Sequence, residues 1–406
     1  MKKLSLIYLL LFISNKANAQ SGCTDIKANN YNATATINDG SCTYNGANIS
    51  PASTKNLGAQ LPETSGLIFW NNTLWSHNDD ADIKLYTVDT ASAAMLQSYT
   101  LTNTINKDWE EISQDSAYIY VGDFGNNSNG NRTDLHILKI EKNSLLLQSP
   151  IIDTIYFSYS NQTDFSATGA NNTNFDCEAF LVTADSIYLF TKQWIAEKTS
   201  IYVLPKTPGN HIAQLRSTIN IQGLATGITY LESKKLAVLC GYSKTLQPFF
   251  YLLYDFKNND FANGNKRKVT INLAFRQIEG ITTSNGLKYY ASNENFATLG
   301  IPQKLHTFNL SNFFSTYLNG IPTTLTYSKQ ASPLTIFPNP AKELLQIVIP
   351  NELIHSSCTI FDISGKARIN VPFNGIQNNV DIHTLVAGMY VIHIDGQYED
   401  AVFIKQ

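Results

Sequence analysis

A degenerate repeat in the middle of this 406-residue chain limits its folds more than any other feature. Five stretches share one grammar: a small or acidic residue, an apolar strand, a tight turn, then a second strand rich in aromatics. They are TSGLIFWNNTLWSHND (64–79), WEEISQDSAYIYVGDFGNN (109–127), CEAFLVTADSIYLFTKQ (177–193), ATGITYLESKKLAVLCGYS (225–243) and IEGITTSNGLKYYASNEN (278–295). Aligning Gly66, Glu111, Ala179, Gly227 and Gly280 spaces them by 45, 68, 48 and 53 residues. Each is followed by two further strand candidates, such as KLYTVDT and MLQSYTL. Four short strands in about 45–50 residues is the pattern of a β-propeller blade. The long step holds the loop NQTDFSATGANNTNFD (161–176), an insertion rather than another blade. The expectation is an all-β chain whose β-propeller has five visible blades. The flanks 45–60 and 318–329 leave room for a sixth.

In a propeller the innermost strand of every blade lines the central channel, so equivalent positions converge at one mouth. The position before the aligned residue is Ser65, Glu110, Glu178, Thr226 or Glu279. Three converging glutamates repel one another unless a cation or several donors sit between them. They are therefore candidate calcium ligands or substrate contacts. The competing reading is that they hydrogen-bond the backbone of neighbouring blades. Because the first two strands form a hairpin, the start of one and the end of the other share a face. That rule predicts one acidic face carrying His77, Asp79, Glu110, Glu111, Asp123, Glu178, Lys192, Glu279 and Glu294. The sequence has no nucleophile elbow, zinc-binding helix, phosphate loop or nucleotide fingerprint. Any catalysis is expected to be metal-assisted hydrolysis, with His77 or Glu111 as base.

Composition and termini bear on address. Only 15% of residues are charged and the formal charge is −3, which gives no basic footprint for nucleic acid or an anionic membrane. The opening MKKLSLIYLLLFISNKANAQ has a basic start, an apolar run and a small-residue site after Ala19, the pattern of a secretory leader over 1–19. The apolar run is about half of the roughly 20 residues a membrane span needs. Nothing later in the sequence is apolar enough to span. In an exported chain Cys23 and Cys42 are a natural pair. Cys177, Cys240 and Cys358 are expected to be buried thiols, with a Cys177–Cys240 bridge as the alternative.

Three resemblances add to this reading. GCTDIKANNYNATATINDGSCTY (22–44) resembles the Cys-bracketed calcium repeat of exported Bacteroidota proteins, akin to thrombospondin type 3 repeats. That resemblance implies a Cys23–Cys42 disulfide and calcium ligands at Asp25, Asn32 and Asp39. The C-terminal 330–406 segment carries Phe337-Pro338-Asn339-Pro340, Leu345-Gln346-Ile347, the turn Asp362–Lys366, Gly388-Met389-Tyr390 and Phe403-Ile404-Lys405 in order. It resembles the type A C-terminal sorting domain of the type IX secretion system, which implies a small β-sandwich and the type IX machinery as partner. Asp108–Ile112 and Gly122–Asn127 are similar to a loosely defined group of secreted bacterial propellers; Glu63–Leu67 and Trp75–Asp79 match its earlier motifs. Calcium-dependent lactonases and phytases share that architecture by analogy. The expected domains are a leader (1–19), a disulfide-closed segment (20–49), a propeller (50–329) and a sorting domain (330–406). The expected role is an exported surface or secreted protein whose propeller binds calcium and an extracellular ligand, the alternative being a calcium-dependent hydrolase.

Overall fold

The computed structural model describes residues 20–79, 82–320, 335–349, 353–354, 356–362, 366–394 and 401–406. The leader, the boundary at 330 and the Ile363–Gly365 part of the Asp362–Lys366 turn lie outside the described residues. No described helix is long and apolar enough to cross a membrane. The chain divides into two compact units, one ending at 321 and the other beginning at 322.

The first unit is a five-bladed propeller. Blade 1 comprises Thr64–Trp70, Thr73–Asn78, Lys84–Val88 and Met95–Thr100. Blade 2 comprises Trp109–Gln114, Tyr118–Asp123, His136–Glu141 and Ile152–Tyr159. Blade 3 comprises Asp176–Val182, Ser186–Lys192, Thr199–Pro205 and Gly209–Ile219. Blade 4 comprises Leu224–Leu231, Leu236–Tyr242, Pro248–Tyr254 and Asn265–Ile271. Blade 5 takes Ile278–Thr283, Lys288–Asn293 and Lys304–Asn309 from its own stretch. The innermost strands touch in the order 1-2-3-4-5-1, so the ring is closed.

The burial pattern explains the sequence texture. Asp176–Val182, Leu236–Tyr242 and Pro248–Tyr254 are buried at every residue. Each of these central strands has blades on both faces, which turns the usual alternation into a near-continuous apolar run. Alternate residues serve alternate neighbours: Ala237, Leu239 and Phe249 pack toward blade 3, while Val238, Cys240 and Phe250 pack toward blade 5. Rim strands such as Met95–Thr100 and Ile152–Tyr159 revert to exposed or alternating patterns. The rim of blade 2 also pairs in parallel with Gly209–Ala213 of blade 3, fusing two blades into one eight-stranded sheet.

The 45–60 flank, which left room for a sixth blade, is used to close the ring. Ala47–Ile49 adds a parallel edge strand to blade 4. Ser53–Asn56 becomes the outermost strand of blade 5, antiparallel to Lys304–Thr307. His306 ties this seam: Nδ1 faces Thr54 Oγ1 at 2.9 Å and Nε2 faces Asn293 Oδ1 at 2.8 Å. The helix Ser311–Gly320 packs Phe314 onto the core between blades 4 and 5.

The second unit is a two-sheet sandwich. Thr335–Phe337, Leu344–Val348 and Gln377–Asp381 form one sheet; Ala367–Pro372, Ser357–Asp362, Gly388–Ile394 and Ala401–Lys405 form the other. Leu345, Ile347, Ile360, Val380, Tyr390, Ile392 and Phe403 fill the space between them. Their period-2 spacing follows from the pleat.

Cys23 and Cys42 form a disulfide, and Cys177, Cys240 and Cys358 are buried cysteines outside any disulfide. The bridged segment docks on blade 4 through Thr24 Oγ1 to Asp255 Oδ2 (3.2 Å) and Asn38 Nδ2 to Asp255 Oδ2 (2.8 Å). Since the chain runs directly from this segment into the closing strands, the disulfide restrains the seam. Cys23→Ser/Cys42→Ser is expected to cost about 2–4 kcal/mol in urea unfolding, from the entropy of a 19-residue loop.

Candidate functional site

The site begins with a defect repeated in the sheets. In blades 2 to 5 the pairing of the first two strands slips by one residue near the channel mouth. The slips fall at Glu110, Glu178, Thr226 and Glu279, each left without a partner in the facing strand. A β-bulge frees one residue and re-aims its side chain. In blade 1 the irregularity falls between Ser65 and Ile68, opposite Ser76. The repeat position found in the sequence is thus the bulge position of four blades.

The uncharged members of the ring bind backbone. Ser65 Oγ donates to the Glu110 carbonyl of blade 2, and Thr226 Oγ1 to the Ile278 carbonyl of blade 5. The glutamates gather instead. Carboxylate oxygens of Glu110, Asp176 and Glu178 lie within 4.8 Å of one another, and all three residues are buried. Asp176 is held by the Asn126 amide at 2.6 Å and the Trp194 indole N–H at 2.7 Å. Lys192 Nζ stands 2.8 Å from Glu178 Oε2 and over the rings of Trp194 (4.6 Å) and Tyr242 (5.1 Å). A second group, Glu63, Asp79 and Glu294, is half-buried with the same close oxygen spacing.

Burial and like charge act together on these acids. Burial, then Glu178, Asp108 and Asp176, push the Glu110 carboxyl well above its usual range. Burial raises Glu178 too, against the opposing pull of Lys192. Asp108 is raised to about 6, chiefly by burial and by Asp176. Burial takes Glu279 to about 7 against Lys192, and takes Glu294 to about 9 with help from Glu279. Lys192 itself is driven well up by Glu178 despite its burial. Such a cluster either retains protons or takes a cation.

Of the nine residues expected on one face, Glu110, Glu178, Lys192, Glu279, Glu294 and Asp79 belong to this network. The other three do different work. Glu111 is fully buried among the innermost strands: Oε1 accepts its neighbour Ile112 N–H at 3.0 Å, Oε2 accepts Ile228 N–H of blade 4 at 2.8 Å, and the Leu67 amide of blade 1 faces it too. A Cβ on Gly66 (φ +60°) would sit 2.6 Å from the Ile112 nitrogen and 2.8 Å from Glu111 Oε1, so the carboxylate requires the glycine of the neighbouring blade. His77 is fully buried, edge-on to Trp109, with Nδ1 3.0 Å from the Asn78 carbonyl; burial lowers it to about 4. Asp123 is taken by Arg132, Nη2 to Oδ1 at 2.6 Å.

The N-terminal candidates are engaged locally. Asp25 Oδ2 accepts the hydroxyls of Tyr44 (2.8 Å) and Tyr254 (2.6 Å), and Oδ1 accepts Lys27 N–H at 2.9 Å. Asn32 Oδ1 caps Thr34, and Asp39 Oδ1 accepts Ser41 N–H. These oxygens build turns and dock the segment onto blade 4. Asp176, Asp108 and Glu63 were missed as site residues because they sit outside the aligned position. All three stand three places before the aligned residue (Gly66, Glu111 and Ala179), so Glu63, Asp108 and Asp176 share one repeat position, a signal the sequence did carry.

Residues 335–405 match the secretion system C-terminal sorting domain. The second unit is therefore a type IX sorting tail, which directs the chain to the cell surface. None of the curated proteins matches the chain. Among solved structures it is similar to PorZ, a bacterial surface component of the type IX secretion system of Porphyromonas gingivalis. The likeness has 12% identity over 84% of this chain and 45% of that one, with a TM-score of 0.30. The chain thus spans less than half the length of PorZ. A streptogramin B lyase gives 11% identity over 79% and 86%, with a TM-score of 0.33. A gluconolactonase from Xanthomonas campestris gives 8% over 65% and 98%, with a TM-score of 0.35.

Glu111→Ala would orphan buried amides of several blades at once. It is expected to lower stability by at least about 3 kcal/mol in urea unfolding, with Glu111→Gln losing less because one acceptor oxygen remains.

Proposed function

We propose that this protein is an exported recognition module, delivered by its type IX sorting tail, whose propeller binds a divalent cation and an extracellular ligand at the acidic mouth. The observation that carries this reading is the convergence of Glu110, Asp176 and Glu178 from two neighbouring blades, with oxygens within 4.8 Å of one another. Hard carboxylate oxygens at that spacing suit Ca²⁺ better than a softer metal. The half-buried Glu63, Asp79 and Glu294 group offers a second, more accessible set of the same donors. A cation there would leave coordination positions toward solvent, which a sugar hydroxyl or peptide carbonyl could fill.

Recognition is favoured over hydrolysis by the fate of the two expected bases. His77 and Glu111 are both fully buried, and Glu111 is committed to backbone amides. Neither is placed to take a proton from a water at the mouth.

The raised carboxyls give the reading a pH signature. An acid whose folded pKa lies above its unfolded one contributes stability below the unfolded value and loses it as pH rises through the folded value. With chelator present, melting temperature is expected to fall as pH rises through about 6, 7 and 9, as Asp108, Glu279 and Glu294 ionise in turn. Excess Ca²⁺ should flatten that fall at pH 7 to 9. Thermal melts of the intact chain, with and without Ca²⁺, check both; identical melts across the range would refute the cation.

A further inference from the structure

We infer that Lys192 is the resident cation of the Glu110–Asp176–Glu178 cluster, and that a divalent cation such as Ca²⁺ binds there by displacing its ammonium from Glu178. This rests on the cation reading above and says what controls it.

The three carboxylates are unequally satisfied. Asp176 has a donor on each oxygen, from Asn126 and Trp194. Glu178 has the Lys192 ammonium on Oε2. Glu110 is only 6% exposed, yet among the described residues no donor reaches its carboxylate. A buried carboxyl without a donor is costly, and Glu110 is aimed into the cluster at its two acidic neighbours. It is also packed over Gly125, where a Cβ would stand 2.2 Å from Glu110 Oε1 and 2.3 Å from Asp108 Oδ2. The backbone has been kept clear so that these oxygens can approach. One ammonium on Glu178 leaves Glu110 unserved, whereas a single divalent ion can bridge both.

Lys192 has somewhere to go. Its Nζ already lies over Trp194 and Tyr242, contacts that do not depend on Glu178. Glu279 of blade 5 attracts the same ammonium and has Thr226 as its neighbour. Displacement moves the ammonium from Glu178 toward Glu279 and exchanges one ion pair for another. The buried charge stays balanced, and no bond is made or broken covalently. Lys192 thus sets a threshold: the site fills only when the incoming ion outcompetes a tethered one.

The test compares the intact chain with its Lys192→Met variant by calorimetric Ca²⁺ titration. Removing the competitor and its repulsion is expected to lower Kd by about tenfold or more. Binding by the variant alone would also support the inference, since the tethered ammonium would then be filling the site outright. Unchanged or weaker binding beside a wild type that does bind would overturn the inference and leave the cation reading standing. No binding by either protein would overturn both. Should Lys192→Met not fold, the wild type still decides. The ¹⁵N resonance of the Lys192 ammonium is expected to shift as Ca²⁺ is added and to stay still in Glu110→Gln. A resonance that does not move in a Ca²⁺-bound wild type would overturn the inference.

Discussion

The carboxylate of Glu111 is the interaction on which the ring depends. Five inner strands converge on one axis, and at the aligned position four of them carry Gly66, Ala179, Gly227 and Gly280. Small residues let the strands approach but leave amides that point inward with nothing to bind. Glu111 supplies one acceptor to amides at equivalent places in three blades: Leu67, Ile112 and Ile228. Burial makes such a carboxyl expensive, and the converging amides offset that cost. The asymmetry matters. Were every blade to carry an acid here, mutual repulsion would open the ring; with one, the charge is shared among its neighbours.

This also shows how much of the fold and site the sequence made legible. The period, the five blades and the sandwich at the C-terminus follow from strand texture, because strands buried on both faces read as runs such as FFYLLY. The alignment identified the converging position, yet it put Glu110 and Glu111 on the same face. Neighbouring side chains ordinarily leave a strand on opposite sides, and the bulge at Glu110 re-aims its side chain as well. A bulge adds one residue without changing the apolar pattern, so periodicity cannot reveal it. The same blindness applies to His77, whose neighbours Asn78 and Asp79 look polar while its own environment is the core beside Trp109. Asp25, Asn32 and Asp39 illustrate a further limit: side-chain oxygens dense in sequence also serve turns and docking, uses that composition alone does not separate from ligation.

Charge sets the remaining architecture of the mouth. The acids come from every blade except the fourth, and among the described residues Lys192 is the ammonium buried with them. A ring of bulges is an efficient way to build this, since each bulge turns one side chain to the mouth without breaking the blade behind it. Where the chain uses Ser or Thr at that position, the side chain stitches two blades together. Where it uses Glu, stitching gives way to an unfinished charge balance. One repeated irregularity therefore serves both cohesion and binding, and the residue type chooses between them.

Closure brings the two ends of the propeller into the same problem. Thr54 and His306 are 252 residues apart, so the seam is a contact of very high order and the entropy of closing it is large. The chain reduces that cost by placing the disulfide-bonded segment on blade 4, immediately before the strands that complete blades 4 and 5. Asp25 Oδ2 accepts the hydroxyls of both Tyr44 and Tyr254, which ties the bridged segment to blade 4 just before Ala47–Ile49 pairs with Asn265–Ile271. His306 then meets Thr54 in a buried, neutral state; burial lowers its pKa to about 4. A histidine depressed in the fold contributes stability above its unfolded value and loses it as pH falls toward the folded one. The seam therefore weakens in acid while the carboxylate mouth weakens in base. The two losses overlap between the unfolded carboxylate and imidazole values, about 4 to 6.5, and a divalent ion at the mouth offsets only the one that grows as pH rises.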